Sequence, residues 1–146
     1  MAKAMQECPK SGLLWAETIM MASRPQRKGK SVDALRHCSN DPHVVCAVAR
    51  LFMHEQKADK ARSWFNRAVT LDPDVGDFWA QYYLFECKFG GKQEQEAVVA
   101  RTLRADPHHG RRWARIAKSL ECAHKTADFV LQKVALDYEQ HDVPTA

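Results

Sequence analysis

Cys38, His43 and Cys46 stand in a Cys-x4-His-x2-Cys spacing, with His37 beside it. Thiolate and imidazole are the ligands that zinc prefers, and a structural zinc takes four in a tetrahedron. A helix starting at Asp41-Pro42 could bring these groups near one another. Two features oppose that reading. The standard zinc-finger spacings are missing, and Cys46 lies inside the apolar run 44–49, where a free cysteine acts as a small core residue. The core reading is favoured and no metal is expected. The sequence has no glycine-rich phosphate loop, no Gly-x-Ser-x-Gly elbow and no His-Glu-x-x-His. No spacing pairs its carboxylates or histidines for acid–base work. The expectation is a non-enzyme with no cofactor and no small-molecule substrate.

Two basic clusters are better placed to do something. The stretch 23–31 carries Arg24, Arg27, Lys28 and Lys30 without an acid, and reads as a loop between two helices. Arg111, Arg112, Arg115 and Lys118 form the second cluster. Arg111 and Arg115 are i, i+4 neighbours, and Lys118 follows on that side. Either cluster could hold RNA phosphates or an acidic protein, and the first could be a nuclear-import signal. Each is also compatible with an ordinary solvated face. Basic residues in a first helical turn oppose the helix dipole, so the second placement costs some stability. The four tryptophans could stack on bases, but three recur in phase and therefore belong to a core.

The elements that must carry these residues follow from a repeat. Prolines at Pro9, Pro42, Pro73 and Pro107 are spaced by 33, 31 and 34 residues. Six positions beyond them stand Trp15, Val48, Trp79 and Trp113. Asp41, Asp72 and Asp106 precede three of the prolines, and Leu136-Asp137-Tyr138 repeats the boundary with tyrosine in the proline slot. This divides the chain into repeats 9–41, 42–72, 73–106 and 107–137, flanked by 1–8, read as the end of a preceding helix, and a tail 138–146.

Each repeat reads as two helices. Asp is a good N-cap and Pro suits the first turn, so Asp-Pro is expected to open the first helix. The helix pairs fall at 13–22 and 32–38, 43–55 and 58–70, a first helix ended by Gly90-Gly91 and 92–104, and 111–123 and 126–136. Ala61, Trp64, Phe65 and Ala68 share one stripe, and Trp79, Tyr82 and Phe85 share another. No strand pattern occurs. A pair of 31–34 residues cannot bury both faces alone, so the expected fold is all-α: a right-handed α-solenoid of stacked antiparallel helix pairs.

The 146-residue composition agrees. Apolar residues make up 45% and charged residues 27%, which excludes a largely disordered chain. The longest apolar run is six residues, far short of the roughly 20 of a membrane span. Five widely spaced cysteines, no secretory leader and no Cys-x-x-Cys point to a reducing cytosol or nucleus. Net charge is +4, concentrated in 1–72, where 12 Lys/Arg face 7 Asp/Glu, against 10 and 11 in 73–146. That excess is mild and compatible with RNA or an acidic partner.

Residues 79–86, Trp-Ala-Gln-Tyr-Tyr-Leu-Phe-Glu, resemble the first helix of the half-a-tetratricopeptide (HAT) repeat, and 61–69 resembles the second. Cys8-Pro9, Gly12 to Trp15, 22–28, 31–35 and Asp41-Pro42-His43-Val44 are similar to the HAT-repeat pre-mRNA-processing factors of the spliceosomal tri-snRNP. The similarity covers about residues 1–136. Unit two has Val48 in the Trp slot, and unit four has Ile116 and Leu120 in place of the Tyr and Phe-Glu positions. The resemblance implies a C-terminal piece of a longer nuclear scaffold that bridges small nuclear ribonucleoproteins. Its implied partners are spliceosomal proteins, with a possible small nuclear RNA contact and no membrane. A receptor for short acidic C-terminal peptides is the least favoured alternative, since first-helix candidates are sparse (Arg50, Arg111, Arg115) and asparagine occurs only at Asn40 and Asn66.

Overall fold

The structure, a computed structural model, describes residues 11–122 and 124–141. The expectations for 1–8 and for 142–146, together with Pro9, lie outside them. The described residues form eight α-helices and no strand, and the chain divides after Leu71 into two compact units. The expected all-α class holds.

The first unit contains α1 (Gly12–Met21), α2 (Arg24–His37), α3 (Pro42–His54) and α4 (Ala58–Leu71). Helix α3 starts as Asp-Pro chemistry dictates. The Asp41 carboxylate accepts the His43 N–H at 2.9 Å, and Pro42 occupies the first turn, where no N–H is needed. The apolar run 44–49 is buried throughout, Cys46 and Val48 included. Three residues link α3 to α4, which fold back on each other and form the most extensive helix contact of this unit. Ala61, Phe65, Ala68 and Val69 are the buried stripe of α4. Trp15, Ile19, Ala34, Cys38, Val44, Ala47 and Val48 form one cluster, with the half-buried Trp64, Phe52 and Leu35 packed on its flank. Each such fully buried aliphatic or aromatic side chain stabilises the fold by about 1.5–3 kcal/mol.

One correction falls here. The stretch 23–31 is not a loop, because α2 begins at Arg24. Pro25 sits in the first turn, and the Ser23 carbonyl accepts the N–H groups of Gln26 and Arg27 at 2.9 and 3.1 Å. A proline and a glycine within a basic run look like a breaker, yet Pro costs nothing at that position.

The second unit contains α5 (Gly76–Phe89), α6 (Lys92–Ala105), α7 (Arg111–Ala117) and α8 (Ala127–His141). Phe78, Trp79, Tyr82 and Phe85 bury the length of α5. The Trp79 indole N–H donates to the Pro73 carbonyl at 2.8 Å. Gly90-Gly91 ends α5, and the Glu94 carboxylate accepts the Gly91 N–H at 2.9 Å to open α6. Helix α8 packs on α5, α6 and α7, most extensively on α5, through Val130, Leu131, Val134 and Ala135.

Three more corrections concern this unit. Asp-Pro does not open α5 or α7. Asp106 adopts left-handed backbone, φ 45°, and ends α6, while α5 and α7 start only at Gly76 and Arg111. The intervening segments instead pair with each other at Val75 and His109, and Gly76 N–H donates to the His109 carbonyl at 2.8 Å. Helix α7 stops at Ala117 rather than reaching 123. The Ser119 hydroxyl and N–H both turn back to the Ile116 carbonyl, at 2.7 and 3.0 Å, and Leu120 is 98% exposed, so no burial rewards another turn. Finally, α8 runs through His141, and Tyr138 is buried where a tail was expected.

Candidate interaction surface

The first basic cluster lies on α2 and is split by helical periodicity. Arg27 is turned inward. Its guanidinium donates to the Ala22 carbonyl at 3.0 Å and the Met20 carbonyl at 3.4 Å, satisfying the C-terminal end of α1. Arg24, Lys28 and Lys30 are exposed. Arg24 and Lys28 lie one turn apart on the flank next to the end of α3. There Glu55 accepts Lys57 Nζ at 2.9 Å. The Lys57 hydrogen bond, backed by the charges of Lys57, Lys28 and Arg24, holds the Glu55 carboxyl below its ordinary range. Lys30 lies on the opposite flank with His37, whose ring stacks on Trp15 at 5.3 Å.

The second cluster is largely absorbed by the fold. Arg115 reaches both Asp137 oxygens, at 3.1 and 3.0 Å, and Arg112 reaches Oδ2 of the same carboxylate at 3.4 Å. The Arg112 guanidinium also lies 3.9 Å above the Tyr138 ring. Arg111 and Lys118 are exposed. The unfavourable meeting of basic residues with a helix N-terminus is relieved by Asp77 of α5. Its carboxylate accepts the Arg112 and Trp113 N–H groups at 3.1 and 2.7 Å. Asp74 works similarly one loop earlier. It accepts the His108 N–H at 3.0 Å and meets the His109 imidazole. The first of these contacts, then the second, holds the Asp74 carboxyl below its ordinary value.

Cys38 and Cys46 are both buried. Burial, and secondarily the Asp41 charge, pushes the Cys38 thiol up, away from the thiolate that a metal would need. Among the described residues no group of three or more His, Cys, Asp or Glu is placed to hold a metal ion. No helix among them is long and apolar enough to cross a membrane. Trp15, Val48, Ala61, Phe65, Ala68, Trp79, Tyr82, Phe85 and Trp113 are buried, while Trp64 is half-buried.

Sequence reasoning missed a second set of phased positions. Gly12, Gly76 and Gly110 each stand three residues after a phased proline. A Cβ at Gly12 would overlap the Asp41 carboxylate, and one at Gly110 would lie 2.9 Å from Asp77 Oδ1. Gly110 also has φ 121°, open to glycine alone at low cost. Asp77 and Asp137 were missed too, because their partners lie 22 to 36 residues away in sequence.

Packed helical hairpins, phased aromatic cores and cations divided between internal acceptors and solvent define a helical-repeat protein. The sequence matches splicing factors over most of its length. It is 50% identical over 122 residues to Protein STABILIZED1 of Arabidopsis thaliana, 82% of this chain and 12% of that protein. It is 49% identical over 113 residues to human Pre-mRNA-processing factor 6, 77% and 12% of the two chains. It is 46% identical over 131 residues to Pre-mRNA-splicing factor prp1 of Schizosaccharomyces pombe, 90% and 14%. Along these residues the chain matches the pre-mRNA-processing factor 6 type of splicing factor. It spans 12–14% of the length of these relatives. No family profile matches it.

Proposed function

We propose that this chain is a non-catalytic scaffold segment of pre-mRNA splicing, acting in the nucleus by binding proteins of the small nuclear ribonucleoproteins and helping to bridge the tri-snRNP. The identity of 46–50% to proteins named as pre-mRNA splicing or processing factors carries the reading. The physical design supports it. Chemistry-bearing side chains such as Asp77, Asp137, Arg27 and Arg112 hold helices together, and the helix pairs serve as successive repeats that present surface. Arg24, Lys28 and Lys30 are among the exposed cations that such a surface carries.

The test is a pull-down from nuclear extract with the tagged 146-residue chain, with and without nuclease, read by mass spectrometry. Splicing proteins retained after nuclease are the expected result. Retention of none would overturn the scaffold reading.

A further inference from the structure

Helices α2 and α4 both lie against α3 in the first unit. Their ends are placed by specific contacts. Near the start of α4, Glu55 and Lys57 sit within electrostatic reach of Arg24 and Lys28 on α2. Near its other end, Arg67 donates to the Ser39 carbonyl and to Asn40 Oδ1, at 3.2 and 3.0 Å, just past the end of α2. The start of α4 therefore lies toward the start of α2 and its end toward the end of α2, so both run in the same direction over α3.

The flank of α4 that faces this space has a distinctive composition. Lys57, Lys60, Trp64 and Arg67 recur at intervals of three or four and form one stripe beside the buried one. Asp59 falls on the far side of the helix. Phe52 of α3 meets Trp64, with ring centroids 6.3 Å apart. Lys57 and Lys60 lie 5.9 and 5.8 Å from the Phe52 ring, and Arg67 lies 5.2 Å from Trp64. On the α2 side, Arg24 and Lys28 lie within charge range of Glu55. Three cations thus lie over two half-buried rings, with two more cations near the adjoining Glu55.

We propose that this space binds single-stranded RNA, with Lys28, Lys57 and Lys60 on phosphates and the Trp64–Phe52 pair, with the Arg67 guanidinium, as a stacking platform. Charge complementarity and aromatic faces together favour a nucleic acid strand. Phosphates alone would be served by cations, whereas successive bases of a single strand each offer a face to stack on a ring. A duplex hides the base faces that Trp64 and Phe52 would use. The site shares Arg24 and Lys28 with the cluster legible in the sequence, but Lys30 and the α7 cations lie outside it. It stands independently of the protein-scaffold reading, which is tested by protein retention after nuclease.

Fluorescence anisotropy of a short labelled oligouridine with the purified 146-residue chain tests it. Saturable binding is expected, and K28A/K57A/K60A should weaken it by at least about tenfold and reduce the log K against log salt slope by about 2. The single variant Lys60→Glu, at an exposed position, checks the result in a minimally altered chain, and Trp64→Phe should weaken binding while leaving the salt slope unchanged. R111A/K118A should bind like the parent. Absence of saturable binding, full affinity in both lysine variants at unchanged melting temperature, loss in R111A/K118A alone, equal affinity for duplex RNA, or displacement by a glutamate-rich peptide at matched charge would each overturn the proposal.

Discussion

The Trp113 indole lies against the backbone of Gly76, so close that a Cβ at residue 76 would sit 2.0 Å from its Cδ2 atom. Gly76→Ala must push aside a buried ring, and such overpacking costs about 1–3 kcal/mol. Gly29, in the middle of α2, has nothing within 4 Å of its added Cβ. Gly29→Ala should stabilise by about 0.5–1 kcal/mol, the helix-propensity difference. Urea unfolding of the two variants should therefore shift the midpoint in opposite directions.

Asp137 tethers two arginines, but the three side chains are not equally committed. Asp137 is 17% exposed and Arg112 25%, whereas Arg115 is 65% exposed. Asp137→Asn leaves a partly buried guanidinium short of its charged partner, and should destabilise by about 1–3 kcal/mol. Arg115→Ala should cost under about 1 kcal/mol, because exposed ion pairs are weak. Thermal unfolding of the two variants gives the ordering directly.

Asp74 sets an acid limit. Its carboxyl titrates below the ordinary value because it accepts the His108 N–H and then contacts His109. A group whose folded pKa is depressed contributes stability that is fully present above its unfolded pKa, about 3.9. That contribution is lost as pH falls through the lower folded value. Asp74→Asn should flatten the fall in stability below about pH 4, as read from melting temperature against pH.

Helix existence and type were legible wherever apolar spacing reflected burial, as in 44–49 and in Trp79, Tyr82 and Phe85. Boundaries were less so. Asp41-Pro42 behaves as local chemistry dictates, yet Asp106 precedes a proline and closes a helix instead. The difference lies in residues 74–76, which reach across to the next linker and are far away in sequence. The candidate site was half legible for the same reason. Charge pattern identifies Arg27, Arg112 and Arg115 as cations, but only tertiary packing shows that carbonyls and Asp137 already engage them. The stripe Lys57, Lys60, Trp64 and Arg67 was missed, because Trp64 was grouped with the core residues Ala61, Phe65 and Ala68. Only the packing of Phe52 against Trp64 shows that this flank carries ring faces.

Helix α7 has seven residues, too few to persist alone in water. The carboxylate that receives its first free N–H groups belongs to Asp77 on α5, with α6 lying between them in the chain. Its anchor at the other side, Asp137, belongs to α8. This segment therefore borrows its order from two helices that flank it in sequence, as a short plank is held by the beams at either end.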